Sequence, residues 1–351
     1  MIMKTRLTAA AVAAMIAVTA YAQDVRRIDV SKLGPQVGAT VPDFSLPDQH
    51  GKVRTLQSAM GPKGAMIVFY RSADWCPYCK TQLLELQSQY DTLRKDGLGL
   101  VGISYDSQEI LAAFTEQHGI TFPLLSDAGS AVIKQYGLLN TTIAEGHPTF
   151  GIPFPGTFIV DANGVVTSRH FEAAYQERNT IASVLVKLGA KLDLAGTRVT
   201  APHLTAVTYV TDRDAAPGTH FSVVLDVTPA DRIHVYAPGV SGGYKPITLT
   251  IAAQPGLVNR AMQFPRADDY FFRPLNEHVA VYQRPFRIVQ DLEIDPAPQS
   301  VAALADRSEM KITGTLDYQA CDDKVCFNPQ SVPLRWTIGL KPLDRERVSK
   351  H

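Results

Sequence analysis

Two kinds of hydrophobic patterning divide the chain. Across residues 37–188, continuous apolar runs alternate with helical spacing. Ala65-Met66-Ile67-Val68-Phe69-Tyr70 reads as a buried strand, and Leu83, Leu86, Tyr90 and Leu93 recur three and four apart, as on one face of an amphipathic helix. Residues 98–105 form the next strand. Asp106-Ser107-Gln108-Glu109 resembles a capping box that opens a helix, and Gly119 closes it. A short strand over 122–125, a turn or two of helix over 131–136 and a strand over 157–160 follow. Asn163-Gly164 turns into Val165-Val166, and a helix over 173–188 closes the region. Strands alternating with helices predict a central sheet with helices on both faces.

After Gly189 the helical period vanishes. Phe221, Val223, Leu225 and Val227 alternate with other residues, as do Ile312, Gly314, Leu316 and Tyr318, and Val332, Leu334, Trp336 and Ile338. Each run places its apolar side chains on one face of a strand, with Pro and Gly between runs, which predicts an all-β sandwich. The expected organisation is an α/β domain over 37–189, a linker over 189–196 and the sandwich over 197–341.

Length and charge agree with this division. The chain has 351 residues, more than one core usually serves, and 34 Lys+Arg balance 34 Asp+Glu. It therefore carries no global field to recruit nucleic acid or an anionic membrane. Residues 1–22 read as a cleavable export signal: Lys4 and Arg6, an apolar run over 7–20, then Ala20-Tyr21-Ala22. Gln23 would start the mature chain. No other stretch approaches a membrane-spanning length, so the expectation is an oxidising, exported compartment, the periplasm.

The four cysteines fall into two close pairs, Cys76/Cys79 and Cys321/Cys326. Close pairs cycle between dithiol and disulfide with little backbone movement. A four-thiolate zinc site would need both pairs to converge from opposite halves, and Lys80 after Cys79 breaks the haem-attachment pattern. His118, His147, His170, His203, His220, His234 and His278 show no ligand spacing, so no metal and no cofactor is expected.

Cys76 follows the buried strand and opens the helix, where unpaired N–H groups and the helix dipole favour a thiolate. It is the expected attacking sulfur. Cys79, one turn on, would resolve the mixed disulfide, and Pro77 costs no hydrogen bond at a first helical turn.

Phe69-Tyr70 through Trp75-Cys76-Pro77-Tyr78-Cys79, with Val41-Pro42-Asp43-Phe44 upstream and Pro155-Gly156-Thr157-Phe158-Ile159-Val160-Asp161 downstream, resembles the redoxins of the AhpC/TSA and TlpA-like group of the thioredoxin fold. The resemblance implies that Pro155 faces the active-site disulfide, where the fold often has a cis proline that docks the substrate backbone. Trp75, Pro77 and Tyr78 would support that site. Peroxiredoxins place Pro and Thr ahead of the peroxidatic Cys and an Arg before the strand that Thr157 begins. Here those positions hold Ser72 and Cys76 counted from Cys79, or Phe69 and Ala73 counted from Cys76, and Pro155 in place of the Arg. The buried acid that assists resolution in thioredoxins is replaced by Val68, which leaves the base unassigned.

The segment around Cys321 and Cys326, from Tyr318 to Pro329, resembles the N-terminal periplasmic domain of DsbD, an immunoglobulin-like sandwich with a redox-active pair in this hairpin. Asp268-Asp269-Tyr270-Phe271-Phe272 would correspond to its shielding loop, with Phe271 or Phe272 as the cap. The sequence thus points to a thiol-disulfide oxidoreductase with two redox modules. Protein thiols or disulfides and an upstream membrane or periplasmic redox partner are the expected partners. The rival readings are a peroxiredoxin-like thiol peroxidase, and a partner-binding module in which Cys321–Cys326 is a static staple.

Overall fold

A computed structural model describes residues 29–348 except 193, 242 and 273–275. The segment read as an export signal lies outside the described residues. In the first half, β1 (Ser45–Pro47), β2 (Val53–Thr55), α1 (Leu56–Ala59), β3 (Gly64–Phe69), α2 (Pro77–Lys95), β4 (Leu98–Ser104), α3 (Gln108–His118) and β5 (Leu124–Ser126) follow in order. They are succeeded by α4 (Ala131–Gln135), β6 (Gly156–Val160), β7 (Val166–His170), β8 (Arg178–Asn179) and α5 (Ile181–Lys187).

The central sheet has the order β5-β4-β3-β6-β7, with β3, β4 and β5 parallel and β6 and β7 antiparallel. β3 is central, and its alternation splits the core. Met66 and Val68 pack with Leu83, Leu86 and Phe114 on one face, while Ala65, Ile67 and Phe69 pack with Ile133, Tyr136 and Phe158 on the other. Burial on both faces explains why the run is apolar without interruption. The capping box expected over Asp106–Glu109 does not form: Ser107 is the N-cap of α3, accepting from Ile110 N, while Gly119 closes the helix as expected, in the left-handed region at φ 67°. This is the thioredoxin-like fold.

The second half runs β9 (Thr197–Ala201), β10 (Leu204–Val210), β11 (Asp214–Ala215), β12 (Thr219–Pro229), β13 (His234–Tyr236), β14 (Thr248–Ile251) and β15 (Leu257–Gln263). Then come β16 (Asp268–Phe272), β17 (Glu277–Tyr282), β18 (Phe286–Ile294), α6 (Pro298–Leu304), β19 (Glu309–Tyr318), β20 (Ala320–Cys321) and β21 (Gln330–Leu340). Strands order as β15-β18-β12-β10-β9 and as β11-β21-β19-β14, with a smaller sheet β16-β17-β13-β20. Phe221, Val223 and Leu225 of the first sheet meet Ile312, Leu316, Leu334 and Trp336 of the second in one core. Trp336 satisfies its buried indole N–H on Thr208 Oγ1 at 2.8 Å. This half is a β-sandwich.

The predicted closing helix over 173–188 is corrected. Only Ile181–Lys187 is helical, capped by the Thr180 hydroxyl, which accepts from Ser183 N at 3.1 Å. Ahead of it, β8 adds in parallel to β12 of the sandwich, pairing Arg178 with Thr219 and Asn179 with His220. The sandwich thus supplies those backbone groups with partners that a helix would otherwise provide. α5 also lies against the sandwich: Val186 packs with Tyr209, Val224 and Val289, and Ser183 Oγ meets Ser222 Oγ at 2.7 Å. Thr180 Oγ1 donates to Asp212 at 2.9 Å, and Lys187 pairs with Asp291 at 3.3 Å. Beyond β21, residues 341–348 run back to the first half.

Candidate redox site

Cys76 is the N-cap of α2, with Pro77 in the first turn, and its Sγ accepts from Cys79 N at 3.3 Å. Cys76 and Cys79 are joined as a disulfide with Cα atoms 5.2 Å apart. Both are buried, at 1% and 0% exposed. The preceding loop hangs on Asp106 at the end of β4. One carboxylate oxygen accepts from Ser72 Oγ at 2.7 Å, and the other accepts from Ala73 N at 2.7 Å and Ser104 Oγ at 2.9 Å. Burial raises the Asp106 carboxyl to about 6 against these hydrogen bonds, which favour the ionised form. Sequence reasoning saw Asp106 only as part of a capping box.

The aromatic residues around the pair form a connected wall. Trp75 donates its indole N–H to Tyr105 OH at 2.9 Å, and the Arg71 guanidinium lies over the rings of Trp75 and Tyr175 at 4.8 and 4.2 Å. Tyr78 meets Tyr175 edge-on at 6.1 Å. Pro155 directly precedes β6, and its peptide is trans, as are all those of the described residues. With Gln82, Thr157, His170, Glu172 and Arg178 it lines a small solvent-open pocket. Burial holds the His170 imidazole down at about 4, so this side chain is neutral at neutral pH.

Two features of the site were invisible in the linear pattern. The first is Arg178, whose NH2 lies 3.6 Å from Cys79 Sγ. No Arg stands at the peroxiredoxin position before β6, yet the fold brings one to the sulfur from β8. The second is the returning tail. Asp344 pairs with Lys80 Nζ at 3.1 Å, Glu346 O accepts from the same amine, Arg347 pairs with Asp74 at 2.6 Å, and Val348 N donates to Asp74 at 2.9 Å. Val348 packs against the core cluster that contains Cys76 and Cys79. Lys80 is only 1% exposed, so these partners accompany a cation that water barely reaches.

The second pair is built differently. Cys321 lies in β20 opposite His234 of β13 and is fully buried, whereas Cys326, its disulfide partner, is exposed. The intervening turn is tied by Asp322, whose carboxylate accepts from Lys324 N at 2.7 Å and Val325 N at 2.6 Å. Tyr236 OH lies 3.4 Å from Cys326 Sγ, and its ring stacks on Tyr244 at 4.3 Å. Phe271 is 44% exposed with its ring against His278, and Phe272 is half-buried. Tyr270, one position earlier, packs in the cluster that contains Cys321, because side chains on β16 alternate between faces.

Of the scattered histidines, His220 is ion-paired at the junction of the two halves, 3.5 Å from Glu177 and 3.6 Å from Glu293. Among the described residues, no helix is long and apolar enough to cross a membrane.

A family model described as the AhpC/TSA family matches residues 37–169, and one described as thiol:disulfide interchange protein DsbD, N-terminal, matches residues 204–334. Peroxiredoxin Bcp of Escherichia coli (strain K12) is 34% identical over 131 residues, which are 37% of this chain and 82% of that protein. Peroxiredoxin Q, chloroplastic, of Sedum lineare is 34% identical over 129 residues, 37% of this chain, which spans 65% of that relative's length. The crystal structure of peroxidoxin BcpB from Mycobacterium tuberculosis is 28% identical, with 40% of this chain and 90% of that one covered at a TM-score of 0.36. A vicinal cysteine pair at the head of α2 and a relative matched over most of its length lead to one conclusion: the chain belongs to the AhpC/TSA family of thiol oxidoreductases, with a DsbD N-terminal-like domain behind it.

Proposed function

We propose that this chain is an exported, periplasmic thiol-disulfide oxidoreductase that exchanges electrons through Cys76–Cys79 and Cys321–Cys326. The observation that carries the reading is the placement of Cys76 as N-cap of α2, bonded to a cysteine one turn along. The helix N-terminus stabilises a thiolate at Cys76. That thiolate attacks a substrate disulfide, one substrate sulfur leaves as thiolate, and Cys79 then displaces the second and closes the Cys76–Cys79 bond. The substrate gains two electrons and the pair loses two. An upstream membrane or periplasmic dithiol must restore them.

Exposure of Cys326 beside buried Cys321 makes Cys326 the sulfur through which the sandwich would exchange with that donor or with Cys76. Transfer between the pairs needs an in-line approach to Cys76, which is buried, so that sulfur must first be uncovered. The test is equilibration of the folded protein in graded glutathione buffers, followed by alkylation and mass spectrometry. Reversible opening of both pairs is expected. A hairpin pair that stays closed would leave the sandwich a binding module, and a CxxC pair that stays closed would overturn the proposal.

A second reading, thiol peroxidase, draws on Arg178 beside Cys79 and on relatives that bear the name peroxiredoxin. Against it, Ser72 commits its hydroxyl to Asp106, and Cys76 stands where a peroxiredoxin has Thr. Peroxide consumption well below the rate of dithiol–disulfide exchange is expected. The reverse order would select the peroxidase.

A further inference from the structure

Arg178 is a buried cation, 8% exposed, with an unusual set of partners. Nε donates to Gln82 Oε1 at 3.0 Å, and NH1 donates to the carbonyls of Tyr175 at 2.6 Å and Glu177 at 2.7 Å. NH2 reaches Cys79 Sγ at 3.6 Å. Every one of these acceptors is neutral while the disulfide is closed. None of the ion pairs among the described residues includes Arg178. A buried guanidinium without a contacting anion is costly, and the one contacting atom that acquires a negative charge during the reaction is Cys79 Sγ.

We propose that Arg178 stabilises the Cys79 thiolate when the Cys76–Cys79 bond opens, and that the sandwich domain, by pairing β12 with β8, holds it in that position. The inference rests on the proposal that this pair cycles. Its chemistry lies in the reductive half: a thiolate of a donor dithiol attacks Cys76 Sγ, the Cys76–Cys79 bond breaks, and Cys79 leaves with the electron pair as a thiolate. The donor's second sulfur then releases Cys76 and closes the donor's own disulfide, so the donor loses two electrons and this pair gains them. A lower thiol pKa makes a better leaving group, and an adjacent guanidinium supplies it.

The sandwich's part is visible in the backbone. Arg178 N donates to Gly218 O at 2.8 Å and Thr180 N donates to His220 O at 3.1 Å. Gly218 has φ 83°, and a Cβ there would sit 2.2 Å from Gln176 O, so only glycine permits this approach. Gln82 follows Cys79 by one turn of α2, and the same guanidinium therefore spans both. Burial pulls the guanidinium down to about 9, the Arg71 charge adds to that shift, and the charges of Glu172 and Glu177 counter it. A thiolate at Cys79 relieves that cost.

The experiment uses the full chain with Cys76→Ser, which leaves Cys79 as the single thiol while Cys321–Cys326 stays closed. Thiolate ultraviolet absorbance is followed against pH, which needs no reagent to enter the site. Cys79 is expected to titrate at least one unit below the ordinary thiol value of about 8.5. Adding Arg178→Gln should return it to that value or above, and Arg178→Lys should fall between. In the chain with Cys76 restored, Arg178→Gln should shift the glutathione equilibrium about tenfold towards the disulfide, or about 30 mV for a two-electron couple. Gly218→Ala, which keeps the Arg178 side chain but disrupts the strand pairing that positions it, should shift it in the same direction.

A Cys79 that titrates at about 8.5 or above with Arg178 present overturns the inference, even if Arg178→Gln does not fold. An unchanged equilibrium in both Arg178 variants does the same. If Cys76–Cys79 in the unsubstituted chain resists reduction, it is the exchange proposal itself that has failed.

Discussion

The two disulfides differ in which cysteine is exposed to solvent and in what stands behind it. At the head of α2 both sulfurs are buried, a guanidinium adjoins Cys79, and a tail lies across the neighbouring Asp74 and Lys80. In the sandwich hairpin, one cysteine is buried and the other exposed, and the neighbours are Tyr236, Tyr244 and an Asp-tied turn. The first environment favours a thiolate through a helix N-terminus and a cation, whereas the second offers a neutral phenol and a carboxylate nearby. Reactivity once open and access while closed are therefore divided between the two sites: the first is tuned for chemistry and the second for encounter.

The largest effect expected is at the first pair. Cys76→Ser should reduce disulfide reductase activity to background, while Cys79→Ser should accumulate mixed disulfides at Cys76. Turnover of a protein disulfide substrate, with non-reducing electrophoresis, reads both. Full turnover in Cys79→Ser would show that the two pairs do not differ in the way their surroundings imply. Next in size is access. Small thiols should open Cys321–Cys326 at least about tenfold faster than Cys76–Cys79, because attack requires an exposed sulfur. Asp344→Ala with Arg347→Ala removes side-chain anchors of the tail and should narrow that gap several-fold, as read by timed alkylation. An unchanged gap would remove the tail from the account.

Much of this comparison is legible along the chain. The uninterrupted apolar run of β3, the Cys-Pro that follows it and the three-four spacing of Leu83 and Leu86 locate α2 and its N-cap. The alternation around Ile312 and Trp336 likewise locates the sandwich. What escapes is long-range. Arg178 lies 99 residues from Cys79, in a stretch whose composition reads as helix, and becomes a strand only because the first residues of the central sandwich strand β12 supply its hydrogen bonds. Asp106 carries its cap-like neighbours, which hide its role under the active-site loop. Three consecutive aromatics, Tyr270 to Phe272, leave the parity of β16 undetermined, and a shift of one position exchanges the packed ring for an exposed one.

The smallest effect is also the sharpest contrast, since each pair has an aspartate nearby and the two are shifted in opposite directions. Asp322 beside the hairpin pair is held below the ordinary carboxyl range by the backbone N–H groups of Val325 and Lys324. Asp106 behind the buried pair is pushed from 3.8 up to about 6, chiefly by burial. A carboxyl whose folded value is raised binds its proton more tightly folded than unfolded. Its contribution is most favourable below pH 3.8 and declines as pH rises to about 6, after which it is flat. At about 1.4 kcal/mol per unit, the decline is of order 3 kcal/mol. Asp212 at about 6 declines in the same window, and His170 at about 4 acts in the opposite sense, so the readout is the difference between variant and parent. Asp106→Asn, which keeps the shape but does not ionise, should flatten the denaturant-unfolding profile between pH 4 and 6 by about that amount. Asp322→Asn should leave that window unchanged, because its titration lies below it. Parallel profiles for Asp106→Asn and the parent would show that the loop before Cys76 does not rest on a desolvated carboxyl.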